Sequence, residues 1–147
     1  MRANPREAAA FAKLLKVSRT RADEAGRRIG DLEAALARTQ EALHLLAESV
    51  SSEEEAARAA ELIGFTQLAG YLAGAAVKRD ALLKTRADIL TELQKARSAL
   101  AEAFAEMKRL EHLVERSRLA AAGRKRKVEA AALDHAALQR FARAKTN

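Results

Sequence analysis

Four consecutive cations, Arg124 to Lys127, are the residues of this sequence best suited to bind a charged partner. A run of this kind can neutralise the phosphates of a nucleic acid and release their counterions. It can also dock on an acidic protein surface, or it can be a solvated helix end. Aromatic residues make up 3% of the chain and no groove-reading module is present, which counts against nucleic acid. We favour an acidic protein surface, and the other two interpretations stay open.

The sequence contains no catalytic or metal-binding pattern. His44, His112 and His135 lie far apart, and there is neither an HExxH motif nor a glycine-rich phosphate loop. His112 and Glu115 could share a helix face, where a solvated pair is the simpler interpretation than a pair of ligands. The chain has no cysteine, which excludes disulfides and thiolate metal sites. We predict that the protein is not an enzyme and uses no metal, no cofactor and no small-molecule substrate.

The composition indicates an extended helical protein. Apolar residues make up 49% of the 147 residues, but 37 of them are alanine, and only one proline is present. A compact core needs larger side chains and several turns. Five charged residues interrupt the first 17, so the apolar core of a signal peptide is missing. We expect one soluble, cytoplasmic domain over residues 1–147.

The first helix is predicted from residue 5 to about residue 50. Asn4 can cap it, Pro5 suits its first position and Glu7 its third. Apolar or small residues then recur at alternating steps of four and three, a repeat that faces one partner continuously only if the helices supercoil. We call these positions the seam. In the first helix they are Phe11, Leu15, Ser18, Ala22, Ala25, Ile29, Leu32, Leu36, Thr39, Leu43, Leu46 and Val50.

A turn region is predicted over residues 51–64, and a second helix from residue 65 to about residue 142. Ser52 and Glu55 have the spacing of a capping box, and Gly64 could end the short segment that they begin. The second seam keeps one phase to residue 114 and continues in the same phase to Leu138. Its first fifteen positions are Phe65, Leu68, Leu72, Ala75, Arg79, Leu82, Arg86, Ile89, Leu93, Ala96, Leu100, Ala103, Met107, Leu110 and Val114.

Two long helices joined by so short a connection pack antiparallel. The predicted fold is therefore an all-α, antiparallel two-helix coiled-coil hairpin, and two paired helices are expected to offer no concave pocket. Folding about the turn region would place Ala22 and Ala25 near Ile89 and Leu93. Because the second helix is the longer one, about the last thirty residues would form an overhanging C-terminal helix with no partner.

Excess positive charge is concentrated in the predicted overhang. Residues 115–147 carry 9 basic and 3 acidic side chains, a net charge of +6, whereas residues 51–64 carry 1 and 4, a net charge of −3. The overhang region also holds apolar residues, which would stay exposed in isolation. These are Val114, Val128, Leu138 and Phe141. The combination favours insertion into an acidic partner.

Near the start of the second helix, residues Gly70–Gly74 include two glycines and no charged side chain, and we call them the smooth segment. Two glycines inside a helix cost ~1 kcal/mol each relative to alanine. Tyr71 lies off the seam between them. Close approach of a partner would explain this segment better than helix stability does.

Four stretches of the chain carry a resemblance to a known family. They are Phe65–Leu68, Val77–Leu83, Ala99–Arg116 and, more weakly, Ala25–Leu32. They resemble the FliJ family, the small coiled-coil component of the flagellar type III export apparatus, and the third is similar to alphaproteobacterial members. Length and two-helix layout agree with that family over nearly the whole chain.

The resemblance implies a stalk rather than an enzyme. FliJ proteins are similar in fold to the coiled coil of the rotary ATP synthase gamma subunit. They sit in the central hole of the hexameric export ATPase, promote its assembly, contact the export gate protein FlhA and bind export chaperones. This chain would then couple the ATPase to the gate at the cytoplasmic face of the inner membrane.

The resemblance and the charge pattern together predict two sets of contact residues. The family's gate-contacting positions fall on Leu46, Leu68, Leu72, Ala75 and Arg79. Ser49 and Glu53 stand where enterobacterial members have tyrosines, so Phe65 and Tyr71 are added as substitutes. The residues assigned to the ATPase ring are Arg116, Arg118, Arg124, Lys125, Arg126 and Lys127.

Three other functions stay open at this point. The chain could be the equivalent stalk of a virulence-type secretion system, or a basic helical protein associated with DNA or RNA. It could also be a self-associating scaffold whose overhangs pair into a dimer.

Overall fold

The computed structural model describes residues 4–146 and consists of two helices, α1 (Pro5–Ala59) and α2 (Glu61–Thr146). The two helices pack together as a hairpin, and residues 4–146 contain no strand. The prediction of an all-α two-helix hairpin is confirmed. Within these residues, neither helix is apolar enough over a sufficient length to cross a membrane.

Helix α1 begins where the sequence predicts it. The side-chain oxygen of Asn4 accepts a hydrogen bond from the Arg6 backbone amide at 3.2 Å. The Asn4 carbonyl accepts from the Glu7 amide at 2.9 Å, which is the first bond of the helix. Asn4 is therefore the N-cap, because it satisfies amides that have no partner inside the helix.

The helix bounds near the turn differ from the prediction. Residues 51–59 continue α1, residues 61–64 open α2, and Ala60 alone separates the two helices. The Ser52–Glu55 spacing does not start a separate segment, since the α1 backbone runs through it without a break. Alanine is the strongest helix former, and three of the four residues before Ala60 are alanine.

Glu61 takes the role that the sequence suggested for Gly64. Its φ of 59° lies in the left-handed region, where a residue other than glycine is uncommon. The Ala60 amide bonds back to the carbonyls of Ala56 and Ala57 at 3.1 and 3.2 Å. A left-handed residue after such a bond is the usual way for a helix to end.

Gly64 instead allows the two helices to come together beside the turn. A Cβ atom at this position would lie 2.6 Å from the carbonyl oxygen of Ala57 and 2.9 Å from its Cα atom. Ala57 is itself only 5% exposed. The close approach therefore requires glycine on one helix and a small residue on the other.

Replacing Gly64 with alanine is expected to lower the free energy of unfolding by ~2 kcal/mol, because the clash is with backbone atoms that cannot move alone. Gly30 is the matched control, since a Cβ there would meet nothing within 4 Å. Gly30→Ala should stabilise the helix by up to ~1 kcal/mol. Urea unfolding followed by circular dichroism measures both, and equal stability of the two variants would contradict the close approach.

Contacts group the chain into two compact units. The turn unit is Ala22–Ala101. The terminal unit comprises the described residues up to Arg21 and those from Glu102 onward. Each unit has its own buried residues.

The core of the turn unit is centred on Leu93, which is 1% exposed. It clusters with buried Leu32 and Ala96, and Ile29, Leu36 and Ile89 pack against this cluster. The predicted pairing of Leu93 and Ile89 with Ala22 and Ala25 is therefore wrong by about one heptad. The error arises because the chain turns at Ala60 instead of across residues 51–64. Helix α1 extends to Ala59 and α2 begins at Glu61, which shifts every pairing between the helices.

Ion pairs in the turn unit follow the same register. Arg28 lies 3.7 Å from Glu92, and Glu33 lies 3.6 Å from Arg97. Both pairs are exposed, so they contribute little to stability. Their value is that they identify the neighbouring residues of α1 and α2 independently of the apolar cluster.

The predicted seam phase is confirmed in both helices. All twelve seam positions of α1 are buried or half-buried, as are all of the first fifteen in α2 except Phe65 and Arg79. Thr39, a polar seam residue, is buried because its hydroxyl donates to the Ala35 carbonyl at 2.9 Å. A constant 3.5-residue repeat thus locates the buried face even where individual side chains are polar.

The terminal unit is packed only in part. Leu15, Ser18, Leu110 and Ser117 are buried. Arg19 of α1 lies 3.6 Å from Glu111 of α2. From Arg124 to Thr146 every residue is exposed, and we call this stretch the basic segment.

The apolar residues expected in the overhang do not all share one environment. Val114 is half-buried and belongs to the packed part of the terminal unit, whereas Val128, Leu138 and Phe141 are exposed in the basic segment. The difference follows from the seam, which stays buried through Ser117 and is exposed from Ala121 onward.

Candidate protein-binding surfaces

An open groove of about 480 Å³ runs between α1 and α2 in the turn unit. We call it the seam groove. It is lined by Leu43, Leu46, Ala47, Val50, Leu72, Ala75, Ala76, Arg79, Leu83 and Arg86. The expectation that paired helices offer no concave pocket is therefore wrong for this unit.

Two arginines explain why the groove exists. Arg79 and Arg86 occupy seam positions, where an apolar side chain would normally fill the space between the helices. A guanidinium group extends toward water while its methylene stem stays on the apolar surface. Arg79 is accordingly exposed and Arg86 half-buried. The space that they leave is bounded by leucine, valine and alanine.

Neither arginine of the groove is neutralised by a neighbour. Within residues 4–146, no carboxylate oxygen lies within 4.0 Å of a side-chain nitrogen of Arg79 or Arg86. The groove thus combines apolar walls with two uncompensated positive charges.

The residues predicted to contact the gate are partly brought together. Leu46, Leu72, Ala75 and Arg79 line the same groove. Leu68 and Tyr71 are half-buried, and Phe65 is 57% exposed, without lining it. Leu46 of α1 is distant in sequence from the three α2 residues. It lies beside them because of the register of the two helices.

Tyr71 has a contact within the chain that the sequence did not suggest. Its hydroxyl lies 2.6 Å from the hydroxyl of Ser49, and either group can donate the hydrogen bond. The bond links α1 to α2 although Tyr71 lies off the seam. Tyr71 therefore supports the hairpin in addition to any contact with a partner.

Sequence reasoning missed several groove residues and the apolar residues beside the turn. Arg86 and Leu83 were not among the predicted contacts, although Arg86 repeats Arg79 after one heptad. Leu62 and Ile63, within the predicted turn region, are 81% and 72% exposed. The adjacent Leu-Ile pair was a signal available in the sequence.

The smooth segment Gly70–Gly74 is open on its outer side. A Cβ added at Gly70 or at Gly74 would meet nothing within 4 Å. Packing within the chain therefore does not require either glycine. Close approach of a partner at this segment stays a prediction.

All six cations assigned to the ATPase ring are exposed, but they differ in charge environment. Arg118 makes two hydrogen bonds to Glu115, at 3.0 and 2.8 Å. This hydrogen bonding lowers the pKa of Glu115 below its ordinary value and raises the pKa of Arg118. Glu115 is thus paired with Arg118 rather than with His112. No such carboxylate partner lies near Arg116 or Arg124–Lys127 among the described residues.

The basic segment also exposes large apolar side chains. Val128, Leu133, Leu138 and Phe141 are each between 62% and 71% exposed. Leu133, which lies outside the seam phase, was not predicted. The Lys145 ammonium lies 5.2 Å from the centre of the Phe141 ring, a weak cation–π contact. The segment is therefore both cationic and apolar on its surface.

Two of the three histidines have ordinary surface partners. His44 lies 3.1 Å from Glu48, and His135 lies 3.1 Å from Gln139. Among residues 4–146, no group of three or more His, Cys, Asp or Glu side chains could hold a metal ion.

No protein-family model matches this chain, and no curated protein or solved structure gives a significant match to it.

Proposed function

We propose that this chain is a non-enzymatic coupling protein of the flagellar type III export apparatus. In this proposal the seam groove contacts the export gate protein FlhA, and the basic segment contacts the hexameric export ATPase. The hairpin acts as a coiled coil whose C-terminal helix overhangs. Export chaperones are further partners, and the protein is held at the cytoplasmic face of the inner membrane by these contacts.

One observation carries the proposal. Four residues that a family resemblance assigned to the gate lie on two different helices, and the structure brings them to one groove. All four are seam positions, and the register of this chain places them side by side. Their convergence on one surface supports a shared binding role.

The charge distribution supports two separate binding surfaces. The seam groove is mostly apolar with two arginines, whereas the basic segment has four consecutive cations without carboxylate partners among the described residues. Exposed cations next to exposed apolar side chains favour an acidic protein surface over bulk water.

Replacing Leu68 and Leu72 together with alanine is expected to weaken binding to the cytoplasmic part of FlhA by about tenfold or more. Leu72 lines the seam groove and Leu68 lies one helical turn before it, beside the groove, so two partly exposed apolar contacts are lost. The helix content should be preserved, since alanine favours helix. Titration calorimetry measures the affinity, and circular dichroism measures the helix content.

The control for this variant replaces Val77 and Leu90, which are 70% and 49% exposed on the same helix and lie outside the groove. The Val77→Ala, Leu90→Ala protein should bind FlhA like the original chain. Equal affinities for the original chain and the Leu68→Ala, Leu72→Ala variant would contradict the assignment of the gate contact.

A nucleic-acid-associated protein is the second candidate, and the unpaired cations Arg124–Lys127 favour it. Binding to duplex DNA should then fall steeply with added salt, since each neutralised phosphate releases counterions. The chain would have no affinity for a ring ATPase. The equivalent stalk of a virulence secretion system has the same expected surfaces, and the gene's neighbours distinguish it from a flagellar protein.

A further inference from the structure

The seam groove has features of a site for a helix rather than for a small molecule. Its volume of about 480 Å³ lies within the ~300–1,000 Å³ typical of binding pockets. The groove is open, however, and lies lengthwise between α1 and α2. Leucine, valine and alanine form most of the lining. An amphipathic helix laid between two helices buries its apolar face in such a groove.

The charges of the groove define the partner more closely. Arg79 and Arg86 are seven residues apart on α2, which places them about 10.5 Å apart along the helix axis. Both lack a carboxylate partner among residues 4–146. A third helix aligned with α2 would match them with two carboxylates that are also one heptad apart.

We propose that the seam groove binds an acidic amphipathic helix of a partner protein, whose apolar side chains enter the groove while two carboxylates pair with Arg79 and Arg86. The inference rests on the proposed function in one respect, since it names the chemistry that the gate protein would present to this site.

A second copy of this chain fits the groove less well. Glu41, Glu48 and Glu55 of α1 have the required heptad spacing and are exposed. Leu45, at 54% exposed, is the one large apolar side chain on that face, and Glu48 already pairs with His44. Such a surface could satisfy the arginines, but it would leave the apolar walls of the groove largely uncovered.

The test uses the full chain and a synthetic helical peptide of about three heptads, with leucine on one face and two glutamates one heptad apart. A twin peptide carries glutamine in place of both glutamates. Fluorescence anisotropy measures the affinity of each peptide. The glutamate peptide should bind about tenfold more tightly than its twin, and added salt should reduce that difference.

Two variants of the chain locate the effect. Arg79→Gln with Arg86→Gln should remove the preference for the glutamate peptide. Lys78→Gln with Lys84→Gln loses the same charge from the same helix outside the groove, and should keep the preference. The proposal is overturned if both peptides bind equally, if the two variants lose the preference equally, or if sedimentation shows a dimer that Glu41→Gln with Glu48→Gln abolishes.

The same variants separate this inference from the proposed function. If the original chain binds the glutamate peptide but not FlhA, the assignment of FlhA fails and the acidic-helix site stands. If FlhA binds the original chain and the Arg79→Gln, Arg86→Gln variant equally, the acidic-helix site fails and the gate contact stands on other residues.

Discussion

Replacing Leu93 with alanine is expected to lower the free energy of unfolding of the hairpin by ~3 kcal/mol. Leu93 is 1% exposed and lies at the centre of the apolar cluster of the turn unit. Its neighbours Leu32 and Ala96 sit on rigid helices, so the cavity left by the lost side chain would close only in part. Urea unfolding followed by circular dichroism measures the change.

Leu90→Ala is the matched control, because Leu90 is on the same helix but 49% exposed. It should change the free energy of unfolding by less than ~1 kcal/mol. If Leu93→Ala were no more destabilising than Leu90→Ala, the register described by the Leu32–Leu93 cluster would be contradicted.

Changing Arg124, Lys125, Arg126 and Lys127 to glutamate is expected to abolish stimulation of the export ATPase. The change takes residues 115–147 from 9 basic and 3 acidic side chains to 5 and 7, so the net charge goes from +6 to −2. An acidic surface that attracts the original segment would then repel it. ATP hydrolysis by the hexameric ATPase, measured with and without the chain, gives the result.

A variant with equal charge reversal elsewhere controls for net charge. Arg27, Arg38, Lys78 and Lys84 are exposed cations of the turn unit, and changing them to glutamate should leave the stimulation intact. Unchanged stimulation by the Arg124–Lys127 variant would refute the assignment of the basic segment. Equal loss in both variants would attribute the effect to total charge.

Local sequence signals predicted the buried face and the start of α1. Asn4 before Pro5 marks the first turn, and its side chain does accept the Arg6 amide. The 3.5-residue repeat predicted burial even at Ser18, Thr39 and Ser117, because the phase of a regular helix is fixed once several positions are known.

The turn could not be located in the same way. Its residues include a capping-box spacing at Ser52 and a glycine at residue 64, which predict a break, and an alanine-rich stretch that predicts none. The helix continues through Ser52, but the chain turns within the alanine-rich stretch, at Ala60, with Glu61 in a left-handed conformation. Propensity gives no sign that a glutamate will adopt this conformation, which alanine and glutamate both disfavour.

The position of the turn determines which residues meet in the seam groove. Leu46 and Arg79 were chosen by resemblance, but whether they meet follows from the register, and a displaced turn shifts every pairing. Arg86 completes the groove and could have been found from its heptad spacing to Arg79 alone. The uncompensated charge of both arginines became visible only with the neighbours from α1 in place.

The measurement that tests the coupling role most directly is a strain that lacks this chain, scored for swimming and for secretion of filament subunits. We expect both to be lost and to return with the original gene. The gene for the Arg124–Lys127 charge-reversed protein should not restore them. Full motility and normal secretion in the deletion strain would contradict a role in flagellar export.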